Sequence, residues 1–119
     1  VLPGCDRGEL RARAERQARA LLDEEAARLG LRYAGLRIRD PRSRWGSCGP
    51  DGHIMLSLRL ALAPPEVFRY VVVHELCHLR WHGHGRRFWD LVERQMPGYR
   101  EHRAWLRRHG VALHGAELT

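Results

Sequence analysis

Four of the eight histidines lie between Val71 and Gly85, in the stretch VVVHELCHLRWHGHG. Its centre, HELCH, matches the H-E-x-x-H pattern in which two histidines of one helix bind zinc. Residues four apart on a helix lie one above the other, so His74 and His78 could bind the same ion. The carboxylate of Glu75 would lie to one side, where it could accept a proton from a water on the metal. The motif therefore predicts a hydrolytic Zn²⁺ site with Glu75 as the catalytic base.

The third ligand is selected by geometry. His82 lies eight residues after His74, about 12 Å along a straight helix axis, which is too far for both to bind one ion. His84 follows Gly83, and a glycine there allows the chain to turn back towards the metal. We therefore expect His84 to be the third ligand. The alternative is a carboxylate from a following helix, Glu93 or Glu101.

The surroundings of the motif favour a buried site over two histidines on a solvent-exposed helix. The segment VVVHELCHL is too apolar to face solvent, and a buried Glu75 needs a compensating group nearby. Cys77 lies about 100° around the helix from His78, so we expect it to be a small buried residue that takes no part in the site.

The N-terminal third of the chain predicts an amphipathic helix. Asp6 and Glu9 form a start that resembles a capping box, and Gly30 suits the helix end. Between them, apolar residues recur with helical spacing, and arginine and glutamate occupy the other face. We assign the N-terminal helix to residues 1–34.

Residues 35–61 predict a small antiparallel sheet. Leu36 and Ile38 alternate with arginines, and GPDG at 49–52 is a strong turn that predicts a hairpin. In the following strand, HIMLSLRLA, we expect one face to be buried and the other to lie outside. The buried face contains Ile54, Leu56, Leu58 and Leu60, and the other contains Met55, Ser57 and Arg59.

Residues 65–110 predict the zinc-site helix and the C-terminal helices. Pro65 suits a first helical turn, and we expect the metal-bearing helix to span 65–81. RRFWDLVERQM predicts the next helix, closed by Pro97, and YREHRAWLRRHG predicts a last helix that ends at Gly110. Together these elements predict an α+β, zincin-like fold in which the sheet packs on the metal-bearing helix. We expect residues 1–119 to form a single domain.

Composition limits the location and the partners of the protein. The chain has 119 residues and a net charge of +7, and all 21 of its basic residues are arginine. That charge would suit a nucleic-acid partner, but the arginines are spread along the chain without interleaved aromatic residues. Three cysteines without a framework spacing favour a reducing compartment, and the first ten residues contain no apolar signal segment. We therefore expect a cytoplasmic protein without a membrane span, and the sequence does not specify an oligomeric state.

Three segments resemble one family of enzymes. RWGSCGPDGHIMLSLRLALAPPEV, YVVVHELCHL and HGRRFWDLVERQMPGYREHRAWL are together similar to the YgjP-like zinc metallopeptidases, which are related to the SprT-like and WLM domains. The resemblance covers about residues 36–109. It implies that His74, His78 and His84 are zinc ligands and that Glu75 is the catalytic residue. The family usually has Asn at Ser57, and the HG..F segment here is more similar to SprT-like domains.

Three functions follow from these observations. The first is a zinc-dependent peptidase that binds a protein or peptide substrate alongside the strand HIMLSLRLA. In it, one of Tyr99, Arg100 and His102 would help to stabilise the oxyanion. The second is a protease that acts on nucleic-acid-associated proteins, for which arginines should cluster near the metal cleft. The third is a non-catalytic, zinc-stabilised domain, in which Glu75 would have no purpose.

Overall fold

A computed structural model of the chain describes residues 6–119. This part of the chain contains four α-helices, three β-strands and one 3₁₀ segment, which confirms the α+β class. In chain order they are α1 (Arg7–Leu29), β1 (Gly35–Arg39), β2 (Gly46–Cys48), β3 (His53–Ser57), the 3₁₀ segment Leu58–Leu62, α2 (Pro65–Cys77), α3 (Arg86–Gln95) and α4 (Tyr99–Gly115).

Both ends of α1 are formed by the residues that the sequence indicated. The side chain of Asp6 accepts a hydrogen bond from the backbone N–H of Gly8, so the first turn is capped. Gly30 adopts the left-handed conformation with φ of 68°, and its N–H bonds the carbonyls of Ala26 and Ala27. The helix is therefore shorter than the predicted 1–34, and residues 1–5 lie outside the described part of the chain.

The sheet is mixed, whereas the sequence predicted an antiparallel one. The strand order is β1-β3-β2, with β2 antiparallel to β3 and β1 parallel to it. The predicted hairpin is present, with Cys48 opposite Ile54. The parallel pair arises because residues 40–45 carry the chain from one edge of β3 to the other. Consequently β3 is the central strand, and β2 is an edge strand.

The strand predicted over residues 53–61 ends at Ser57 and continues as the 3₁₀ segment. The hydroxyl of Ser57 accepts a hydrogen bond from the N–H of Arg59, which caps the new segment. Arg59 then turns inward, where its Nε donates to Asp40 and its Nη1 donates to the carbonyls of Leu113 and Ala116.

Burial in this segment follows the prediction on one face only. The four apolar residues expected inside are indeed buried: Ile54, Leu56, Leu58 and Leu60. Met55 is half-buried, but Ser57 and Arg59 are buried as well, so the expectation that they lie outside is wrong. The reason is the change to a 3₁₀ segment, because two-residue alternation no longer applies beyond Ser57.

Two predicted helix ends are also wrong. Helix α2 ends at Cys77 and not at residue 81, because its last turn tightens, with the N–H of Arg80 bonding the carbonyl of Cys77. Helix α4 passes through Gly110 and ends at Gly115. Gly110 is buried against Trp45, and an added Cβ there would lie 3.3 Å from the indole ring. A glycine at this position therefore lets α4 pack closely on Trp45.

The core lies between α1, α2 and the sheet. Helix α2 contacts α1, β2, β3, α3 and α4, so the metal-motif helix is at the centre of the molecule. The predicted packing of the sheet on this helix is therefore present. In the part of the chain described here, no helix is long and apolar enough to span a membrane.

Candidate metal centre

The three histidines selected from the sequence lie together. His74 is in the last turn of α2, His78 caps its C-terminal end, and His84 returns from the loop that leads to α3. The Nε2 atom of His84 lies 3.1 Å from Nε2 of His78 and 3.3 Å from Nε2 of His74. One nitrogen from each ring lies within 4.8 Å of the other two, so the group could hold a metal ion.

The outer ring nitrogens have partners that orient two of the rings. Nδ1 of His78 lies 3.0 Å from the backbone carbonyl of Trp81. Since a carbonyl only accepts, this nitrogen carries the proton, and Nε2 of His78 keeps a free lone pair towards the other histidines. Nδ1 of His74 lies 3.4 Å from the hydroxyl of Tyr70, one turn earlier on α2. The contact of His78 therefore favours the tautomer that a metal ligand requires, and the contact of His74 orients its ring.

The environment keeps two of these imidazoles neutral. Burial, followed by the proximity of His78, His84 and Arg103, lowers the pKa of His74 to about 3. Burial also lowers the pKa of His78, although its hydrogen bond with Trp81 opposes the shift. Neutral imidazoles are the form that binds metal, so the site is prepared for a cation.

Aromatic side chains of α3 form the support beneath the histidines. Phe88 stacks on His78 with ring centroids 4.2 Å apart and meets His74 and His84 edge-on. Trp89 contacts His74 and His84 from the side. Our sequence analysis missed these residues, and Tyr70 as well. The available signal was position: FW follows the third histidine closely, and Tyr70 precedes His74 by four residues.

Glu75 faces the other side of α2 from Cys77, beneath strand β2. The carboxylate is buried, and burial raises its pKa to about 7, with Arg44 opposing the shift. Among residues 6–119 it has neither a hydrogen bond nor an ion pair. Gly46 lies directly above it: an added Cβ would be 3.0 Å from Cγ and Oε2 of Glu75. A side chain at position 46 would thus displace the carboxylate.

A cavity of about 370 Å³ opens beside this carboxylate. His74 and Glu75 form part of its wall, together with Gly46 of β2. Three arginines complete the charged lining, Arg44, Arg103 and Arg107. A substrate group in this cavity would therefore reach both the histidine group and the carboxylate.

The other candidate ligands lie apart from the three histidines. His82 is exposed, and Glu93 is exposed and pairs with Arg100 at 3.4 Å. Glu101 is exposed in the first turn of α4. Cys77 is fully buried in the core, in agreement with the prediction that it is a structural residue.

The three residues considered for oxyanion stabilisation do not line the cavity. Tyr99 is buried and stacks between Tyr70 and Trp89. Arg100 lies over the ring of Tyr99, and His102 is half-buried on α4. The residues of α4 that do line the cavity are Arg103, Leu106 and Arg107, which were not predicted from the sequence.

Comparison with known proteins agrees with this geometry. The family model described as YgjP-like, metallopeptidase domain, matches residues 7–109. The fold is similar to the metallopeptidase zymogen abylysin of Pyrococcus abyssi, with a TM-score of 0.68, 26% identity, and coverage of 76% of this chain and 93% of that one. It is also similar in fold to the zymogen jannalysin of Methanocaldococcus jannaschii, with a TM-score of 0.67, 15% identity, and coverage of 76% and 94%. No curated protein matches the chain. The match over residues 7–109 shows that the chain belongs to the YgjP-like metallopeptidase family.

Proposed function

We propose that this protein is a zinc-dependent metallopeptidase, in which His74, His78 and His84 hold the zinc ion and Glu75 is the general base. The observation that supports this most strongly is the combination of two features at one cavity. Three imidazole nitrogens converge, and beside them lies a buried carboxylate that has no partner in the described part of the chain. Neither feature has a structural purpose that the rest of the fold explains.

The donor set fits zinc. Nitrogens bound at about 2.0–2.1 Å to a tetrahedral zinc lie about 3.3 Å from one another. The two Nε2 distances in this site, 3.1 Å and 3.3 Å, agree with that spacing. When bound, zinc would supply Lewis-acid polarisation of the scissile carbonyl and acidify a water molecule.

Glu75 is suited to accept a proton because no group among residues 6–119 forms a hydrogen bond or ion pair with its carboxylate. A base whose oxygens already accept strong hydrogen bonds would lose them when it is protonated, whereas Glu75 would lose none. Gly46 holds the edge strand close above the carboxylate and keeps it towards the cavity. The role of this residue is therefore to take a proton from the attacking water and pass it to the leaving amine.

We assign the substrate to a different strand from the one that the sequence indicated. The sequence analysis placed an extended substrate along β3, but β3 is paired on both sides and has no free edge. Strand β2 is the edge strand next to the cavity, so its outer backbone groups are the ones available to an extended peptide. We therefore assign main-chain pairing with a protein or peptide substrate to Gly46–Cys48.

Two alternatives make different predictions. A protease for nucleic-acid-associated proteins requires arginines at the cleft, and Arg44, Arg103 and Arg107 do line the cavity. A non-catalytic zinc-stabilised domain would not need a buried, unpartnered Glu75 beside an open cavity. We further infer a cytoplasmic location, which agrees with the free thiols of Cys48 and Cys77.

Metal analysis of ligand variants tests the assignment. The purified protein should contain one zinc per chain. His84→Ala should lower zinc affinity at least tenfold, whereas His82→Ala, an equally small change at an exposed neighbouring histidine, should leave it unchanged. Equal losses in both variants, or full zinc binding by His84→Ala, would contradict the ligand set.

An activity assay separates the candidate functions. Zinc-loaded protein should cleave an unfolded protein substrate without DNA. Cleavage that requires DNA would favour the nucleic-acid-associated alternative, and a stable zinc site without hydrolysis of either kind of substrate would favour the non-catalytic domain.

A further inference from the structure

A second cavity of about 320 Å³ adjoins the one beside Glu75. The two have Trp45, Leu106 and Arg107 in common, and we consider them together as one groove between residues 42–46 and helix α4. We call this the arginine groove. It begins at the proposed catalytic carboxylate and runs away from it along the chain segment that enters β2.

Apolar side chains form the floor of the arginine groove. The rings of Trp45 and His114 are in contact, with centroids 4.0 Å apart and planes tilted by 30°, and Gly110 allows α4 to approach the indole closely. Val111, 86% exposed, stands at the far end. An apolar floor of this kind suits the aliphatic and main-chain parts of a bound segment.

The walls of the groove are strongly basic. Arg42, Arg44, Arg103 and Arg107 line it, and Glu75 is the only acidic residue of 6–119 that does so. None of the four arginines pairs with an Asp or Glu side chain in that part of the chain, whereas Arg59, Arg69 and others elsewhere are paired. Four arginines that have no carboxylate partner among residues 6–119 thus lie where a substrate would lie.

Arg103 is held in position for this purpose. Its guanidinium lies 4.6 Å above the centre of the Trp89 ring. Trp89 also contacts His74 and His84. Arg103 lines the same cavity as His74 and Glu75. A carboxylate next to Arg103 would therefore lie close to the reacting bond.

We propose that the arginine groove binds an extended, acidic segment of the substrate polypeptide, whose side-chain carboxylates pair with Arg44, Arg103 and Arg107. The proposal rests on the peptidase function and specifies its substrate class. Guanidinium groups bind carboxylates with paired hydrogen bonds, which gives selectivity as well as affinity. The enzyme would then prefer peptide bonds that are flanked by Asp or Glu.

Peptide is favoured over duplex nucleic acid by the shape of the basic region. The charges stand in a cleft whose two parts measure about 370 and 320 Å³, a size that suits side chains or small ligands. Duplex binding uses an element that projects into a groove of the DNA, and here the basic groups line a concave surface. The edge strand β2 along the wall also matches an extended main chain.

A peptide series tests the proposal. Amidated peptides of one sequence would contain Glu, Gln or Lys at the residues flanking the cleaved bond. An exposed ion pair changes binding by up to about fivefold, so two such pairs should give the Glu peptide about a tenfold higher kcat/KM than the Gln peptide, mainly through KM. The Glu/Gln ratio should fall towards one in the double variant Arg103→Gln/Arg107→Gln. Arg16→Gln, an exposed arginine of α1 that does not line the groove, should leave the ratio unchanged.

Charge reversal and direct binding complete the test. Arg107→Glu should shift the preference towards the Lys peptide. Binding of fluorescent Glu and Gln peptides to the Glu75→Gln protein, measured by anisotropy, reports on the groove even if hydrolysis is absent, so failure of the peptidase function is seen separately. Equal binding of both peptides, a preference that appears only with a free terminal carboxylate, or displacement of the Glu peptide by DNA at equal charge concentration would each overturn the proposal.

Discussion

Two buried glutamates, Glu25 and Glu75, have opposite surroundings. Glu25 of α1 accepts hydrogen bonds from Arg69 of α2, from Arg28 at 3.2 Å and from Gln95 of α3 at 2.6 Å. Its carboxylate therefore links three helices. Glu75 of α2 has no such partner within residues 6–119 and faces a cavity next to His74.

Of these two buried carboxylates, one stabilises the fold and the other is available for the proposed catalysis. Burial of an ionised carboxylate is costly unless hydrogen bonds compensate for it, and Glu25 has that compensation. Glu75 lacks it, and burial raises the pKa of Glu75 to about 7. A residue that is unfavourable for the folded state by itself is retained where a metal ion and a substrate would complete its surroundings.

Removal of each carboxylate should have very different effects on the free energy of unfolding. Glu25→Ala removes the hydrogen bonds from Arg69, Arg28 and Gln95 and leaves a cavity, so we expect a loss of about 2–4 kcal/mol in the free energy of unfolding. Glu75→Ala should change the stability of the metal-free protein by less than about 1 kcal/mol, because no hydrogen bond is lost. Urea unfolding followed by circular dichroism measures both.

Glu24→Ala is the matched control for this pair. Glu24 is exposed and also contacts Arg69, at 3.3 Å, so its removal should cost less than about 1 kcal/mol. Similar losses for Glu25→Ala and Glu75→Ala would show that the contrast between the two sites is wrong.

A methyl group at position 46 should impair the proposed catalytic role of Glu75. In Gly46→Ala the new Cβ would lie 3.0 Å from Glu75 and 2.9 Å from the carbonyl of Met55. Either strand β2 or the carboxylate of Glu75 must therefore shift. We expect a stability loss of about 1–3 kcal/mol and a larger proportional loss of hydrolysis than of zinc binding. Gly98→Ala, where an added Cβ meets nothing within 4 Å, should be close to neutral. Full activity in Gly46→Ala would mean that the strand does not position Glu75.

Low pH should reduce the stability of the protein through Asp40, by less than the substitutions above. Burial tends to raise the pKa of Asp40, but hydrogen bonds from Arg59 and Arg7 outweigh it, so the pKa is lowered on folding. A lowered pKa gives stability that is present above the unfolded value, about 3.9, and is lost as the pH falls through the folded value. Stability measured from pH 6 to pH 3 should therefore fall more steeply in the wild type than in Asp40→Asn. Asp90→Asn, at an exposed pair, should retain the wild-type slope.

Local signals in the sequence predicted the parts of the fold that depend on local chemistry. Asp6 and Gly30 mark the ends of α1 because capping depends on the residues next to the helix end. The convergence of His74 and His78 follows from helical spacing, and a glycine before His84 indicated the return of the chain. These inferences needed no knowledge of the tertiary contacts.

The errors occurred where distant residues decide the outcome. The strand ends at Ser57 because Arg59 is drawn inward to Asp40, 19 residues away, and to the carbonyl of Leu113 near the end of α4, 54 residues away. Gly110 looked like a helix end but is small because Trp45 packs on it. Likewise Gly46 and Phe88 could be recognised as part of the site only once β2 and α3 were in place. The residue pattern within one segment does not specify its contacts with distant segments.

The most direct test of the account is Glu75→Gln, with zinc content and hydrolysis measured on the same preparation. Gln has nearly the shape of Glu but cannot act as the base, so the variant should fold and bind one zinc per chain as the wild type does. Its kcat/KM should fall by about 10²–10⁴-fold, the usual contribution of a positioned general base. Loss of zinc together with activity would place Glu75 among the ligands, and hydrolysis at the wild-type rate would show that another group activates the water.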